Sequence, residues 1–445
     1  MNGTRTLLDR IGASYKAIGA PDSILLGLSG GADSLALLFA LLDLKQDEGF
    51  EVHCVHVNHH LRAGADDEAN WLAALLKGLA VPLRIKDVQV PAGGSLEAQA
   101  RQVRYAAFEE AMRETGAEVL ALAHHAFDQA ETMLMRLMHG TGPSGLAAMG
   151  ELSGCIWRPL LLTSKDALIG YLKSRGQSWV EDESNQDQRM LRNAIRYRIS
   201  PEIEALSPGA LVRMAQTAKL IGDEEEAWAQ FEDRWLIRSA SLVSPMVFLL
   251  TAPFMAQPLA FRRRLIRRLC GVYGINLDRP QTDALCALPN MAKPVRMNLS
   301  ADAHALCTRS RLHIIPADIE QRHMPLTGHL EKVPAAQGLG DGKRVQTFDA
   351  GKLAGAQLRH ACREDRIIPL GMTGSQSMAQ YLSDRKVDLP FRRFWPVYAR
   401  GNQVLWAIGL GCAQTAAVDE KTQNRIQYVF KGPLPGDLHQ MTEEG

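Results

Sequence analysis

Cysteine is scarce and unpatterned. The 445 residues hold seven cysteines, an odd number, widely separated and never arranged as Cys-x-x-Cys. That spacing argues against a disulfide scaffold, a zinc ribbon or an iron–sulfur site. A reducing, cytoplasmic setting is expected. Long apolar runs are missing as well: no stretch approaches the roughly 20 residues of a membrane span, and no membrane partner is expected. The opening MNGTRTLLDRIGASYKAIGA lacks the apolar core of a secretory signal. Neither sign of charge is in excess, with 50 Lys and Arg against 49 Asp and Glu and a formal net charge of +1. A globally basic nucleic-acid binder is excluded, whereas a local basic face is not. Tandem repeats and low-complexity segments are also absent.

Two phosphate-binding signatures are missing too. The stretch LLGLSGGADSLALL (25–38) is shaped like a phosphate loop, yet no lysine follows its glycines. It is therefore no GxxxxGK[ST] loop, and it does not read GxGxxG. What remains is SGGADS opening a helix. Adjacent Gly30 and Gly31 let a ligand approach the backbone and expose several N–H groups. Ser29 and Ser34 add hydroxyls, and Ala32 begins a helix whose positive end lies at the same point. Such a site suits phosphate or pyrophosphate. Asp33 would repel a bare anion, but it becomes sensible as a ligand of magnesium bridging the phosphates. The plainer alternative is an ordinary glycine turn capped by Asp33 or Ser34.

The length allows two or three domains. A composition of 46% hydrophobic and 22% charged residues is ordinary for a globular protein. SILLGL (23–28), EVHCVHV (51–57), LRIKDV (83–88) and EVLALA (118–123) read as strands. Between them, 35–44, 66–80, 96–116 and 128–140 read as helices. The alternation predicts an α/β fold with a doubly wound parallel sheet covered on both faces. Ligands of such sheets bind beyond the carboxyl ends of the strands. There stand SGGADS (29–34), NHHLR (58–62) and HHAFD (124–128). Further helices are expected at 164–175, 189–206 and 209–238, mixed helix and short strand over 250–320, and a linker at 330–344. The domains expected are 1–208, catalytic; 209–330, mostly helical; and 345–436, small, α+β and rich in strands.

SGGADS resembles the signature of the PP-loop ATP pyrophosphatases. HVNHHLR (56–62), EAQARQVRY (97–105), AHHAFDQAETMLMRLMHGTGPSGLAAM (123–149), RPLL (158–161) and EDESNQDQRMLRNAIR (181–196) narrow the match. Together they resemble the tRNA(Ile)-lysidine synthetase family. The likeness covers roughly the first 200 residues and continues more weakly over 363–411. It implies an adenine nucleotide alpha hydrolase-like fold and a tRNA-modifying ligase using ATP and Mg2+. The implied partners are the isoleucine tRNA with a CAU anticodon and free L-lysine. The C2 oxygen of the wobble cytidine is adenylated, pyrophosphate leaves, and the lysine ε-amine then displaces AMP to give lysidine. A homodimer is left open.

That chemistry assigns residues. Asp128 and Glu131 lie three apart on one helical face, and the resemblance makes them the lysine-binding acids. An acidic first turn favoured by the helix dipole is the plain alternative. Arg104, sharing a face with Arg101, suits the lysine carboxylate or a phosphate. The resemblance favours Arg104, and the catalytic residues expected are Asp33, His124 and Arg104. His124 follows a strand at the ligand edge, where the alternative is a buried, satisfied histidine. His56 and Asn58 are placed to border adenine and ribose. Arg192 and Arg196, one turn apart, suit tRNA phosphates or the ATP site. In FRRRLIRR (261–268), Arg264, Arg267 and Arg268 can share a face and suit the tRNA backbone. Arg392 and Arg393 suit tRNA too, while Phe394 and Trp395 read as core.

The chain departs from the family pattern in places. Phe127 stands where an aspartate is expected, His60 where glycine is usual and His139 where arginine is usual. The REDR stretch (363–366) lacks an expected glycine. Rival readings lack their own signatures. A tRNA thiolation enzyme calls for Cys-x-x-Cys. An amide-forming synthetase would not carry the arginine-rich extension. A non-catalytic tRNA binder has no need of Asp33, Asp128 and Glu131, and the zinc motif of a cytidine deaminase is missing.

Overall fold

Four short apolar runs pair in parallel: β1 (Ser23–Gly27), β2 (Glu51–Asn58), β3 (Leu83–Asp87) and β4 (Val119–Ala121). A hairpin of β5 (Leu152–Ser153) and β6 (Ile156–Trp157) completes the sheet in the order β3-β2-β1-β4-β6-β5, with β5 alone antiparallel. The helices are α1 (Asn2–Ala17), α2 (Ala32–Glu48), α3 (Ala65–Gly78), α4 (Leu96–Thr115), α5 (Ala126–Met138), α6 (Pro143–Leu146) and α7 (Lys165–Ser174). This computed structural model describes residues 2–60, 64–91, 96–180, 191–242, 247–291, 293–319, 325–326, 328–334, 338–420, 422–435 and 437. It divides into two compact units, 1–228 and 229–445.

The two-residue period of β1 explains its double covering. Ile24 and Leu26 pack with Leu35 and Leu38 of α2, Leu72 of α3 and Ile11 of α1. Leu25, on the other face, packs with Val55 of β2 and Phe108 and Ala111 of α4. Buried on both sides, such a strand reads as a continuous apolar run. Helix α1 was not expected, although Leu7, Ile11 and Tyr15 recur every fourth residue and bury one stripe. Gly116, at φ +68°, ends α4 in the left-handed region, as its position predicts.

The helix expected over 189–206 is interrupted. Residues 181–190 lie outside the described residues. After them come α8 (Leu191–Ala194), a π turn at Ile195–Ile199 and α9 (Ser200–Leu206). Helix α10 (Ala210–Ser239) follows and carries the division between the units.

The second unit contains α11 (Thr251–Met255), α12 (Leu259–Gly271) and α13 (Arg279–Ala287) beside a five-stranded antiparallel sheet. Leu265, Ile266 and Leu269 of α12 pack there with Leu249, Leu312 and Ile314. The C-terminal region is rich in strands, as expected. Within it, Phe394 and Trp395 are buried, and the Trp395 indole donates to the Ile408 carbonyl at 2.9 Å. The linker expected at 330–344 is corrected in part: His329–Val333 is a strand paired with Arg425–Lys431. Its HLEKV sequence is mostly polar, so no apolar period marks it. Among the described residues, no helix is long and apolar enough to cross a membrane.

Candidate functional site

The glycine loop leaves the carboxyl end of β1 and turns into α2. Gly30 has φ +83°, which favours glycine, and Gly31 caps α2 without a side-chain hydrogen bond. The first N–H groups of α2 therefore converge on a point where no cap competes for them. The Ser34 hydroxyl donates to the Gly31 carbonyl at 3.0 Å and accepts from the Ser29 N–H at 3.2 Å. Ser34 thus braces the loop internally, while Ser29 is exposed. The Val180 N–H donates to the Gly30 carbonyl at 3.1 Å and holds the loop from its other side.

Asp33 follows Ala32 in the first turn of α2. Its Oδ2 lies 3.5 Å from Nε2 of His125. Its Oδ1 is buried and has no hydrogen-bond partner among the described residues. A buried anionic oxygen beside a phosphate loop is what a bound cation would satisfy. Magnesium commonly takes one or two carboxylates and completes its shell with phosphate oxygens and water. Among the described residues, no cluster of three His, Cys, Asp or Glu could hold a metal. An ion shared with a ligand's phosphates fits this donor set.

The end of β2 is fixed by its own contacts. His56 is buried, and its Nδ1–H donates to the Leu28 carbonyl at 2.9 Å. Asn58 donates to Asp66 at 2.8 Å and accepts from the His60 N–H at 3.0 Å. His60 explains why glycine is usual at its place, because its φ is +51°. Its ring lies between Asp66, at 3.0 Å, and Asp87, at 2.9 Å, and these contacts offset the strain.

The two histidines after β4 have different jobs. Burial drives the His124 imidazole down to about 4; Asp128 opposes the shift, and the Arg158, Arg192 and Arg101 charges reinforce it. Near neutral pH the ring carries no charge, and its buried Nδ1 has no partner among the described residues. His125 caps α5: its Nδ1 accepts the Phe127 N–H at 3.1 Å, and its own N–H donates to Asp128 at 3.0 Å. That leaves hydrogen on Nε2, 3.5 Å from Asp33 and 3.6 Å from Asp128. Burial opposes charge on His125, yet Asp128 and Asp33 outweigh it and raise the pKa. Sequence reasoning passed over His125 in favour of His124. The available signal was its place just before α5 with an acid three residues on, the spacing of a capping box. Phe127, in place of an acid, stands edge-on to the His125 ring at 5.8 Å.

Asp128 and Glu131 share the inner face of α5 and are buried. Arg196 bridges them, with Nε 2.6 Å from Glu131 and Nη2 2.7 Å from Asp128 and 3.0 Å from Glu131. Arg192 reaches Glu131 at 3.4 Å and Asp128 at 3.6 Å. Burial raises the Asp128 pKa, but the charges of His125 and Arg196 lower it further, and the net shift is downward. The arginine pair expected on tRNA phosphates or the ATP site is here turned onto carboxylates. The reason is electrostatic: two buried acids require compensation, and α8 with its π turn supplies it. Arg104 donates to His59 at 3.4 Å, and Arg101 stacks on Tyr105 at 4.7 Å.

In α12 the arginines are not a free face either. Arg264 pairs with buried Glu232, and Arg268 pairs with Asp233 at the surface. Arg267 is exposed. Arg392 donates to the Val387 carbonyl at 2.9 Å, and Arg393 lies over the Phe394 ring at 5.0 Å. Replacing Arg264 with alanine strands the Glu232 charge, so a loss of about 3 kcal/mol in denaturant unfolding is expected. An unchanged midpoint would release Arg264 from this structural duty.

Residues 6–203 match the PP-loop domain family, and residues 356–428 match the TilS substrate C-terminal domain. The chain is similar to a tRNA(Ile)-lysidine synthase of Geobacter sulfurreducens, 33% identical over 429 residues, spanning 89% of this chain and 90% of that one. It is also similar to one of Chromobacterium violaceum, 43% identical over 205 residues, spanning 44% and 46% of the two chains. Among solved structures it resembles the U34-tRNA thiolase NcsA of Methanococcus maripaludis, at 14% identity and a TM-score of 0.43, over 49% of this chain and 79% of that one. With 33% identity carried along nearly the whole of both sequences, the chain belongs to the tRNA(Ile)-lysidine synthase family.

Proposed function

We propose that this chain is a ligase that converts the wobble cytidine of the CAU-anticodon isoleucine tRNA to lysidine in the cytoplasm. ATP is the co-substrate, and residues 1–208 carry the chemistry. One juxtaposition supports the reading. The His125 imidazole lies 3.5 Å from Asp33 and 3.6 Å from Asp128, so a phosphate loop and an acid pair adjoin at one sheet edge.

The residues divide the work. The main-chain amides at Gly30 to Ala32 and the α2 dipole hold the ATP phosphates, and His56 and Asn58 border the nucleoside. Magnesium at Asp33 would neutralise charge on the phosphates. His124, kept neutral, offers a hydrogen bond to a phosphate or to the reacting oxygen. The cytidine C2 oxygen attacks the α-phosphorus, and pyrophosphate departs. Asp128 and Glu131 then hold the lysine ammonium; one carboxylate accepts its proton, and the amine attacks C2 as AMP leaves. Arg104 is assigned to the lysine carboxylate or to phosphate.

The decisive assay mixes the protein with ATP, labelled lysine and unmodified isoleucine tRNA. Label should enter the tRNA with release of AMP and pyrophosphate. Release of AMP without label in the tRNA would remove lysine from the reaction. We assign tRNA contact to the regions 209–330 and 345–436. Arg267 and Arg268 suit the backbone, because an exposed pair such as Arg268–Asp233 is weak and opens readily. Replacing both with alanine is expected to weaken tRNA binding and flatten its salt dependence by about one unit of slope per arginine. An unchanged slope would return α12 to a purely structural role.

A further inference from the structure

We propose that Arg196 is a placeholder for the ε-ammonium of lysine: it occupies the acid pair and has to swing away before lysine binds. The inference rests on the reading of Asp128 and Glu131 as the lysine pocket. Every carboxylate oxygen of that pair already has a donor. Glu131 Oε1 holds Arg196 Nε at 2.6 Å, and Oε2 holds Arg196 Nη2 at 3.0 Å and Arg192 at 3.4 Å. Asp128 Oδ1 holds Arg196 at 2.7 Å, and Oδ2 accepts the His125 N–H at 3.0 Å. An incoming ammonium brings three donors and no acceptor, and it has to compete with the guanidinium for these oxygens.

Charge balance leads to the same result. Two carboxylates face two guanidiniums, and His125 beside them leans on Asp33 as well, so the charge of the acid pair is already matched. A third cation next to a glutamate only 2% exposed would be repelled rather than held. One arginine has to leave. Departure of Arg192, at 3.4 Å or more, would still leave Arg196 on three of the four oxygens, so only movement of Arg196 vacates them. Arg196 is also 35% exposed and has an open side towards solvent.

The backbone offers a means of moving it. Arg196 sits in the π turn at Ile195–Ile199, where the Ser200 N–H reaches back to the Ile195 carbonyl. Such turns carry one residue more than an α-helical turn and gather at functional sites. Passing that extra residue along the helix rotates a side chain by roughly 100°, the angle per residue of an α-helix. Lysine affinity then scales with the fraction of molecules in which Arg196 is turned out.

The test is equilibrium dialysis of labelled lysine against the full-length protein, with ATP and tRNA omitted. Arg196→Ala should bind lysine about tenfold tighter than the wild type, or more, if the turned-out form is a tenth of the population or less. Because Arg196→Ala leaves two buried acids facing each other, Arg196→Gln, which keeps hydrogen bonds without charge, is measured in parallel and should also tighten binding. Equal or weaker lysine binding by whichever variant melts cooperatively overturns the proposal. Glu131→Gln in the same assay separates the two levels of inference. Its loss of lysine binding keeps the pocket standing even where the arginine result fails. Undiminished binding by Glu131→Gln removes the pocket, and the placeholder with it.

Discussion

Asp33→Ala is expected to fold normally and to form lysidine more slowly than the wild type by about a hundredfold or more, the scale of losing a key electrostatic group. The fold should survive because the contact this side chain makes, with His125 at 3.5 Å, is long. It lies in the first turn of α2 and is 31% exposed, and its Oδ1 has no hydrogen-bond partner among the described residues. Its favourable interaction with the helix N-terminus is worth about 1 kcal/mol at most at such a site. Chemistry should fail because the carboxylate is tolerable beside phosphates only when a cation stands between them. This yields a second, opposite expectation. In EDTA the variant should bind ATP at least as tightly as the wild type, since a like charge has been removed. Thermal melting, ATP binding with and without magnesium, and single-turnover lysidine formation check the three statements. Near-wild-type turnover would sink the metal role.

The parts legible in the sequence follow from local periodicity. Four apolar runs separated by helices predict the parallel sheet, and the rule that ligands gather beyond strand carboxyl ends locates SGGADS, NHHLR and HHAFD at one edge. Asp33, Asp128 and Glu131 do stand there. What was not legible depends on distant partners. A guanidinium suits phosphate and carboxylate alike, so RNAIR alone does not reveal that Arg196 reaches back to α5. Arg264 looks like surface charge until Glu232, on the preceding long helix, is placed beneath it. The π turn has no sequence period of its own, and the polar strand His329–Val333 has no apolar one. His125 is hard to read as a cap because histidine is an uncommon N-cap, though the aspartate three residues later completes the box.

Glu131→Gln should raise the lysine concentration needed for half-maximal rate by roughly ten- to a hundredfold, the range for losing a hydrogen bond to a charged group. The ATP requirement should change by less than about twofold, because the phosphate loop does not touch this side chain. Glutamine keeps the volume and one acceptor, so Arg196 retains a partner and the fold is spared the larger cost of an empty site. The measured effect contains two opposing parts. Losing the charge weakens the grip on lysine, but it also weakens the grip on Arg196, which competes for the same oxygens. In an Arg196→Ala background the second part vanishes, and Glu131→Gln should then cost lysine binding more than it does in the wild type. Steady-state kinetics with lysine and ATP varied in turn measure the first claim, and lysine dialysis on the double variant measures the second. Equal increases in both substrate requirements would place Glu131 in general support of the site rather than in the lysine pocket.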